Sequence, residues 1–311
     1  MTSHRVQAFF LCVSTVIVAS CGRGDKSASA DSAVSAPLPA LVPSGSAENP
    51  GWRLDEAGPA LLLSTSENRS IASVLLPSLT DSSLADATNF RLDSLSGMSV
   101  DLFKRSGSAG SARMVARNQA TDQASCVSWP RATLEGVGQR AWRVGFRKGL
   151  VTPIPLDSLE GATPADSLRI TTELARLASI LPGANDPAFR GLPFAVRKAY
   201  RSHDGLVDLL VGDVVRKINE EANPREEHFL ILAERPASTD GEHTTVFNTR
   251  SAGSEEMVRT NEILAAVRFV DGGNPGVVVS FEYENGGRIA LIERVGPSVW
   301  KEIWKSAYSG C

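Results

Sequence analysis

Val277-Val278-Val279-Ser280-Phe281-Glu282-Tyr283-Glu284 leads into Asn285-Gly286-Gly287 and out again through Arg288-Ile289-Ala290-Leu291-Ile292-Glu293-Arg294. Two β-branched and aromatic runs joined by an Asn-Gly turn predict an antiparallel hairpin. The same vocabulary continues on either side. Downstream, Val299–Tyr308 carries Trp300, Trp304 and Tyr308. That spacing suits one face of a strand as well as a helix, and the strands before it decide for a strand. Upstream, Thr244–Thr249 and Met257–Val270 read as a long hairpin turning at Gly253–Glu256. Phe194–Arg201, Leu206–Ile218 and His228–Glu234 read as further strands, with Asn219–Glu227 as a charged connection.

The first half of the body is also β-rich. Gly58–Thr65 and Ser70–Pro77 predict one hairpin. Ser99–Arg105 and Ala112–Arg117 predict a second, around the Gly/Ser segment Ser106–Ser111. Cys126–Leu134 and Ala141–Phe146 are strand candidates. A single helix interrupts this pattern. Thr163 can cap, Pro164 suits the first helical position, and Asp166 can reach back to the cap. Leu168, Leu174, Leu177 and Leu181 then follow at helical spacing until Pro182-Gly183 ends the run. The expected fold is therefore α+β and β-rich. It has antiparallel sheets in one or two closely joined lobes (residues 51–182 and 183–311) and one helix at about 164–181. Gly97–Gly107 can be laid on Gly286–Gly296, matching both glycine ends, Leu102 with Leu291 and Arg105 with Arg294, which suggests that the lobes are related.

Ahead of the body the composition changes. Arg5 precedes Val6–Val18, an uncharged and mostly apolar run. As a helix it would cover about 20 Å at ~1.5 Å per residue, short of the ~30 Å hydrocarbon core, so it predicts a cleaved signal peptide over residues 1–20. Val18-Ala19-Ser20-Cys21 closes the run. This stretch resembles a bacterial lipobox, with an aliphatic and two small residues before a cysteine. The resemblance implies lipidation of Cys21, cleavage before it, and membrane attachment through the acyl chains. Gly22 rather than aspartate after the cysteine points, by the same resemblance, to the outer membrane. Residues 21–50, rich in Ser, Ala, Gly and Pro, predict a flexible tether. The C-terminal pattern of a Gly-Gly hairpin, a Trp-bearing strand and a terminal cysteine resembles that of uncharacterised β-rich envelope lipoproteins, and it brings no activity with it.

That resemblance orders the four cysteines. Cys12 leaves with the signal peptide and Cys21 takes lipid. Cys126 and Cys311 remain, and in an oxidising compartment an even pair predicts a disulfide.

Little in the chain specifies chemistry. The net charge of −3 becomes −4 once Arg5 is removed, which argues against nucleic acid as a partner. There is no glycine-rich phosphate loop, and no cofactor is expected. Asp271-Gly272-Gly273-Asn274-Pro275-Gly276 resembles a calcium loop, but its third and fifth positions are Gly273 and Pro275. Asp271 is left as a degenerate metal candidate at most. Glu226, Glu227 and His228 lack the HExxH spacing and read as a solvated loop. Ser202-His203-Asp204 has triad residue types but no nucleophile elbow, so His203 reads as a surface residue beside a turn. The expected function is a lipid-anchored envelope protein whose body is a non-enzymatic binding or structural module, with an envelope protein or polymer as partner. The alternative is a carboxylate-based hydrolase acting on envelope polymers.

Overall fold

In the computed structural model, the long apolar runs become strands buried on both faces. The structure describes residues 59, 62–65, 69–77, 95–118, 128–138, 141–203, 205 and 207–310, with the side chains of 116–118 excepted. Cys21, Cys126 and Cys311, the signal segment and the tether all lie outside the described residues.

Six strands close a barrel: β1 (Leu62–Ser64), β2 (Ile71–Val74), β3 (Ser99–Lys104), β4 (Gly107–Asn118), β5 (Arg131–Glu135) and β6 (Val144–Arg147), in the order β1-β2-β5-β4-β3-β6. Both predicted N-terminal hairpins form, β1 with β2 and β3 with β4. The second turns earlier than expected. Gly107–Ser111 lies in β4, where Gly107 and Gly110 take positive φ, and not in a loop. Leu62, Val74, Val100, Leu102, Met114, Leu134 and Trp142 fill the barrel, so its interior is a packed core.

The chain then enters β7 (Val151–Ile154), β8 (Asp157–Ser158) and α1 (Pro164–Ser179), followed by β9 (Ala195–His203), β10 (Val207–Ile218), β11 (Arg225–Pro236), β12 (Thr244–Ser254), β13 (Thr260–Phe269), β14 (Pro275–Tyr283), β15 (Gly286–Gly296), β16 (Val299–Lys305) and β17 (Ser309–Gly310). An outer sheet runs β12-β11-β10-β9-β8. A central sheet runs β16-β15-β14-β13-β7, and β17 adds to β15. All ladders are antiparallel. The fold is thus α+β and β-rich, and α1 starts as the sequence implied: Thr163 Oγ1 caps Asp166 N, with Pro164 at the first position.

The layers follow from residue parity. On β14, Val277, Val279 and Phe281 point to the outer sheet, and Val278 points to the barrel. On β15, Ala290 and Ile292 take the first direction, Ile289 and Leu291 the second. On β11, Leu230 and Leu232 face the central sheet, while Phe229, Ile231 and Ala233 face α1. The barrel, central sheet, outer sheet and helix therefore stack as four layers, and strands covered on both faces show no polar alternation. Gly212 of β10 lies under Leu174 of α1, and a Cβ there would meet Leu174 Cδ1 at 2.7 Å, so its absence lets the helix seat closely.

One predicted pairing is overturned. β12 and β13 do not form a hairpin; β12 pairs with β11, and β13 pairs with β14 and β7. Apolar faces on β13 are wanted by both the barrel and the sandwich, which draws it into the central sheet. The two echoing stretches also part company, β3 lying in the barrel and β15 in the central sheet. Among the described residues, no helix is long and apolar enough to cross a membrane.

Candidate functional site

Charge returns at the ends of the outer sheet, on each of its faces. On the helix-facing side the apolar middle of β10 and β11 (Leu210, Gly212, Val214; Phe229, Ile231, Ala233) is bounded by Asp208 and Arg235 at one end and by Arg216 and Glu227 at the other. These are cross-strand neighbours, and all but Arg235 are buried.

The Asp208 end adjoins a cleft, a cavity of about 350 Å³. β8, the 3₁₀ turn Leu159–Gly161, the first turns of α1 and β9 wall it, contributing Asp157, Ser158, Asp166, Ile170, Arg201 and His203. Asp208 sits behind this wall with 2 % of its surface exposed. Arg201 donates Nε to Oδ1 at 3.0 Å and Nη2 to Oδ2 at 2.6 Å. Arg235 donates Nε and Nη2 to Oδ2 at 2.8 and 2.6 Å. His203 Nδ1 lies 3.2 Å from Oδ1, and its ring is exposed at the cleft. Burial alone would raise the Asp208 pKa, but the two guanidinium groups outweigh it and hold the carboxyl down to about 2. His243 completes the array. Its Nδ1 and backbone N both contact Glu173 Oε1 of α1, at 2.8 and 2.9 Å, and Nε2 stands 3.8 Å from Asp208 Oδ2.

Two further arrays close the sandwich interior. At one end His228, 1 % exposed, places Nε2 2.7 Å from Glu226 Oε2 and Nδ1 3.5 Å from Asp213 Oδ1. Arg197 donates to Asp213 at 2.6 Å and to the Asn261 carbonyl at 3.1 Å, which joins the two sheets. At the other end Glu234 accepts from Arg294, Ser298 and Trp300.

These arrays correct the reading of Glu226, Glu227 and His228 as a solvated loop. All three are buried in β11, because β10 supplies a cation opposite each acid: Lys217 pairs with Glu226, and Arg216 with Glu227. A signal for this stands in the chain, since Arg216-Lys217 and Glu226-Glu227 are equidistant from Glu221-Ala222. Ser202-His203-Asp204 forms no triad. The Ser202 hydroxyl is buried without a hydrogen-bond partner, His203 is exposed, and Asp204 lies outside the described residues. The partner of His203 is Asp208, which no adjacent-residue reading could find. Asp271 is exposed in the β13–β14 turn. Arg268 Nη1 donates to the Gly273 carbonyl at 2.5 Å, and Asn274 donates to Glu293 of β15, so one of the loop's carbonyls and one of its amides are already taken by the neighbouring strands. Among the described residues no group of three or more His, Cys, Asp or Glu side chains is arranged to hold a metal ion.

No protein-family model matches the chain, and neither a curated protein nor a solved structure matches it.

Proposed function

We propose that the protein is a lipid-anchored cell-envelope protein whose body is a binding module, offering the cleft beside β9 to an envelope protein or polymer. Cys21 in Val18-Ala19-Ser20-Cys21 supports the anchor, and the −4 charge of the chain without its signal segment argues against nucleic acid.

One observation carries the choice of binding over hydrolysis. Among the described residues, every carboxyl whose pKa is clearly displaced (Asp166, Glu173, Asp186, Asp208, Glu226 and Glu234) is displaced downward. In each case hydrogen bonds to cations, hydroxyls or backbone N–H groups hold the anion. A carboxylate hydrolase needs one acid held protonated near neutral pH, and hence raised. At this cleft Asp166 is held by Thr163 and Arg169, and Asp208 by Arg201 and Arg235, which builds a wall of fixed dipoles suited to recognition.

The test uses the full chain in detergent with purified, sheared cell-wall polymer. We expect saturable co-sedimentation that His203→Ala weakens, with no new reducing ends. Reducing-end release lost in Asp157→Asn or Asp166→Asn would replace this reading with hydrolysis. Mass spectrometry of the mature chain tests the anchor, and an unmodified Cys21 would remove it.

A further inference from the structure

Two arginines and two tyrosines gather where β14 turns into β15, and the packing of the core does not account for them. Phe281 of β14 faces the outer sheet and is fully buried. Arg288 stands opposite it on β15, and Tyr283 lies two residues further along β14, so all three share one face of the central sheet. β17 pairs Ser309 with Gly287 and Gly310 with Gly286, which brings Tyr308 alongside Arg288. The rings of Tyr283 and Tyr308 meet edge to face, with centroids 6.1 Å apart. Arg259, just ahead of β13, completes the group from the side of β12, where its backbone N and Nη2 donate to Ser251 Oγ and Thr249 Oγ1.

Elsewhere in this fold a part-buried arginine meets an acid, as Arg197 meets Asp213, Arg201 Asp208, Arg216 Glu227 and Arg294 Glu234. Arg259 and Arg288 are also part-buried, yet among the described residues neither has an ion-pair partner. Their guanidinium carbons lie 4.5 and 5.6 Å from the centroid of the Phe281 ring. The Nε of each is buried without an acceptor, and Arg288 donates to nothing among the described residues. A ring face offsets only part of the cost of holding a cation away from water without an anion. Glu282 of β14 does not supply the anion, because it points to the other face and takes the Ser280 hydroxyl. Tyr283 and Tyr308 are 39 and 43 % exposed, so their rings are open to solvent beside these cations.

We propose that this surface binds an acidic sugar, the uronic-acid unit of an anionic polysaccharide. Arg288 takes the carboxylate, with Arg259 beside it, and the sugar ring rests on Tyr283 and Tyr308. The fork of a guanidinium matches a carboxylate with two parallel hydrogen bonds. The face of an aromatic ring is negative and attracts the positively polarised C–H groups on one side of a sugar. A neutral sugar would leave the two cations unpaired, and a small inorganic anion would leave the two rings unused. The chain as a whole is negative, so the attraction for an anion is local to this surface. The site is separate from the cleft, which lies on the helix-facing side of the outer sheet.

The test is calorimetric titration of the full chain in detergent with an oligogalacturonate, with the same oligosaccharide after reduction of its carboxyls to hydroxymethyl groups, and with inorganic phosphate. The acidic oligosaccharide should bind saturably, and the reduced one about tenfold more weakly or less. Arg288→Gln and Tyr283→Ala should each weaken binding about tenfold, and Arg288→Lys, which keeps the charge but not the fork, should weaken it less than Arg288→Gln. Circular dichroism checks that the variants fold; should Arg288→Gln misfold, Tyr283→Ala and the reduced oligosaccharide still decide. No heat with the acidic oligosaccharide would overturn the proposal, and so would equal affinity for its reduced form. Phosphate binding as tight as that of the oligosaccharide, and indifferent to Tyr283→Ala, would leave a bare anion site and sink the acidic sugar as ligand. Oligosaccharide binding that survives both Arg288→Gln and Tyr283→Ala would lie elsewhere on the molecule, which would overturn this site while leaving the reading of the cleft untouched.

Discussion

Trp300 of β16 donates its indole Nε1 to Glu234 Oε2 of β11 at 2.8 Å, across the corner where the outer and central sheets meet. The same carboxylate accepts Arg294 Nε and Nη2 at 3.0 and 3.2 Å, Ser298 N at 2.9 Å and Ser298 Oγ at 3.0 Å. Ser298 takes a positive φ of 54°, so the β15–β16 turn holds a costly conformation against this acceptor. Glu234→Ala strips the partner from a half-buried guanidinium and a buried indole and should cost roughly 3 kcal/mol. Trp300→Phe keeps the ring but loses one bond and should cost about 1 kcal/mol. Urea denaturation followed by fluorescence measures the former, and circular dichroism both. A Glu234→Ala loss no greater than that of Trp300→Phe would show that the corner is held by apolar contact alone.

Asp208 predicts the acid limit of the fold. Its folded-state pKa lies below the ordinary value of 3.8, at about 2. A depressed carboxyl contributes stability above the unfolded value, and that contribution is lost as pH falls through the folded one. The loss therefore falls between about pH 4 and pH 2, and is on the order of 2 kcal/mol. Asp208→Asn should be less stable at neutral pH and show a flatter profile across that window. Parallel wild-type and variant profiles would remove Asp208 as the source.

His228 acts with the opposite sign. Burial would lower its pKa, but the neighbouring carboxylates of Asp213 and Glu226 outweigh that and raise it above 6.5. A raised histidine contributes fully below its unfolded value, and the contribution is lost as pH rises through the folded one. Arg197 and Lys217 hold the far sides of the two carboxylates, and Asn261 approaches Asp213 from β13. Stability should thus decline as pH climbs from about 6.5 into the alkaline range, and His228→Gln should remove that slope. The imidazole proton shifts in a pH titration give the midpoint directly; a midpoint below 6.5 would contradict the geometry.

The chain end gives a fourth expectation. A Cβ on Gly286, whose φ is +143°, would stand 2.2 Å from the Ser309 carbonyl oxygen, and one on Gly310 would stand 2.0 Å from that of Asn285. Only glycines let β17 lie on the β14–β15 turn. Nearby, Trp129 Nε1 donates to the Ala307 carbonyl at 3.0 Å, tying together segments three and four residues from Cys126 and Cys311. A disulfide between those cysteines, expected from their count, should make the non-reduced mature chain two hydrogens lighter than the reduced one. Gly286→Ala should lower the yield of that bond on refolding, because β17 can no longer dock. Two free thiols in the native chain would refute it.

How much of this was legible in the chain varies with the physics involved. The positions of the strands were readable because β-branched and aromatic runs between turn residues have few other uses. The start of α1 was readable because Thr163, Pro164 and Asp166 act within one turn of one another. Pairing was readable only where a short turn enforced it, as between β14 and β15. It misled between β12 and β13, because backbone hydrogen bonds carry no residue identity and any two extended runs can share them.

The sequence by itself therefore determined where most of the extended segments lie, where the single helix among the described residues begins, and that many strands are apolar throughout. Only the tertiary structure decided that those strands are apolar because both faces are covered, the central sheet lying between the barrel and the outer sheet and the outer sheet between the central sheet and the helix. It also decided that Asp208 meets His203, Arg201 and Arg235, and that Glu227 meets Arg216. These encounters depend on register between strands, and register is chosen by burial of whole faces rather than by any residue's neighbours in the chain.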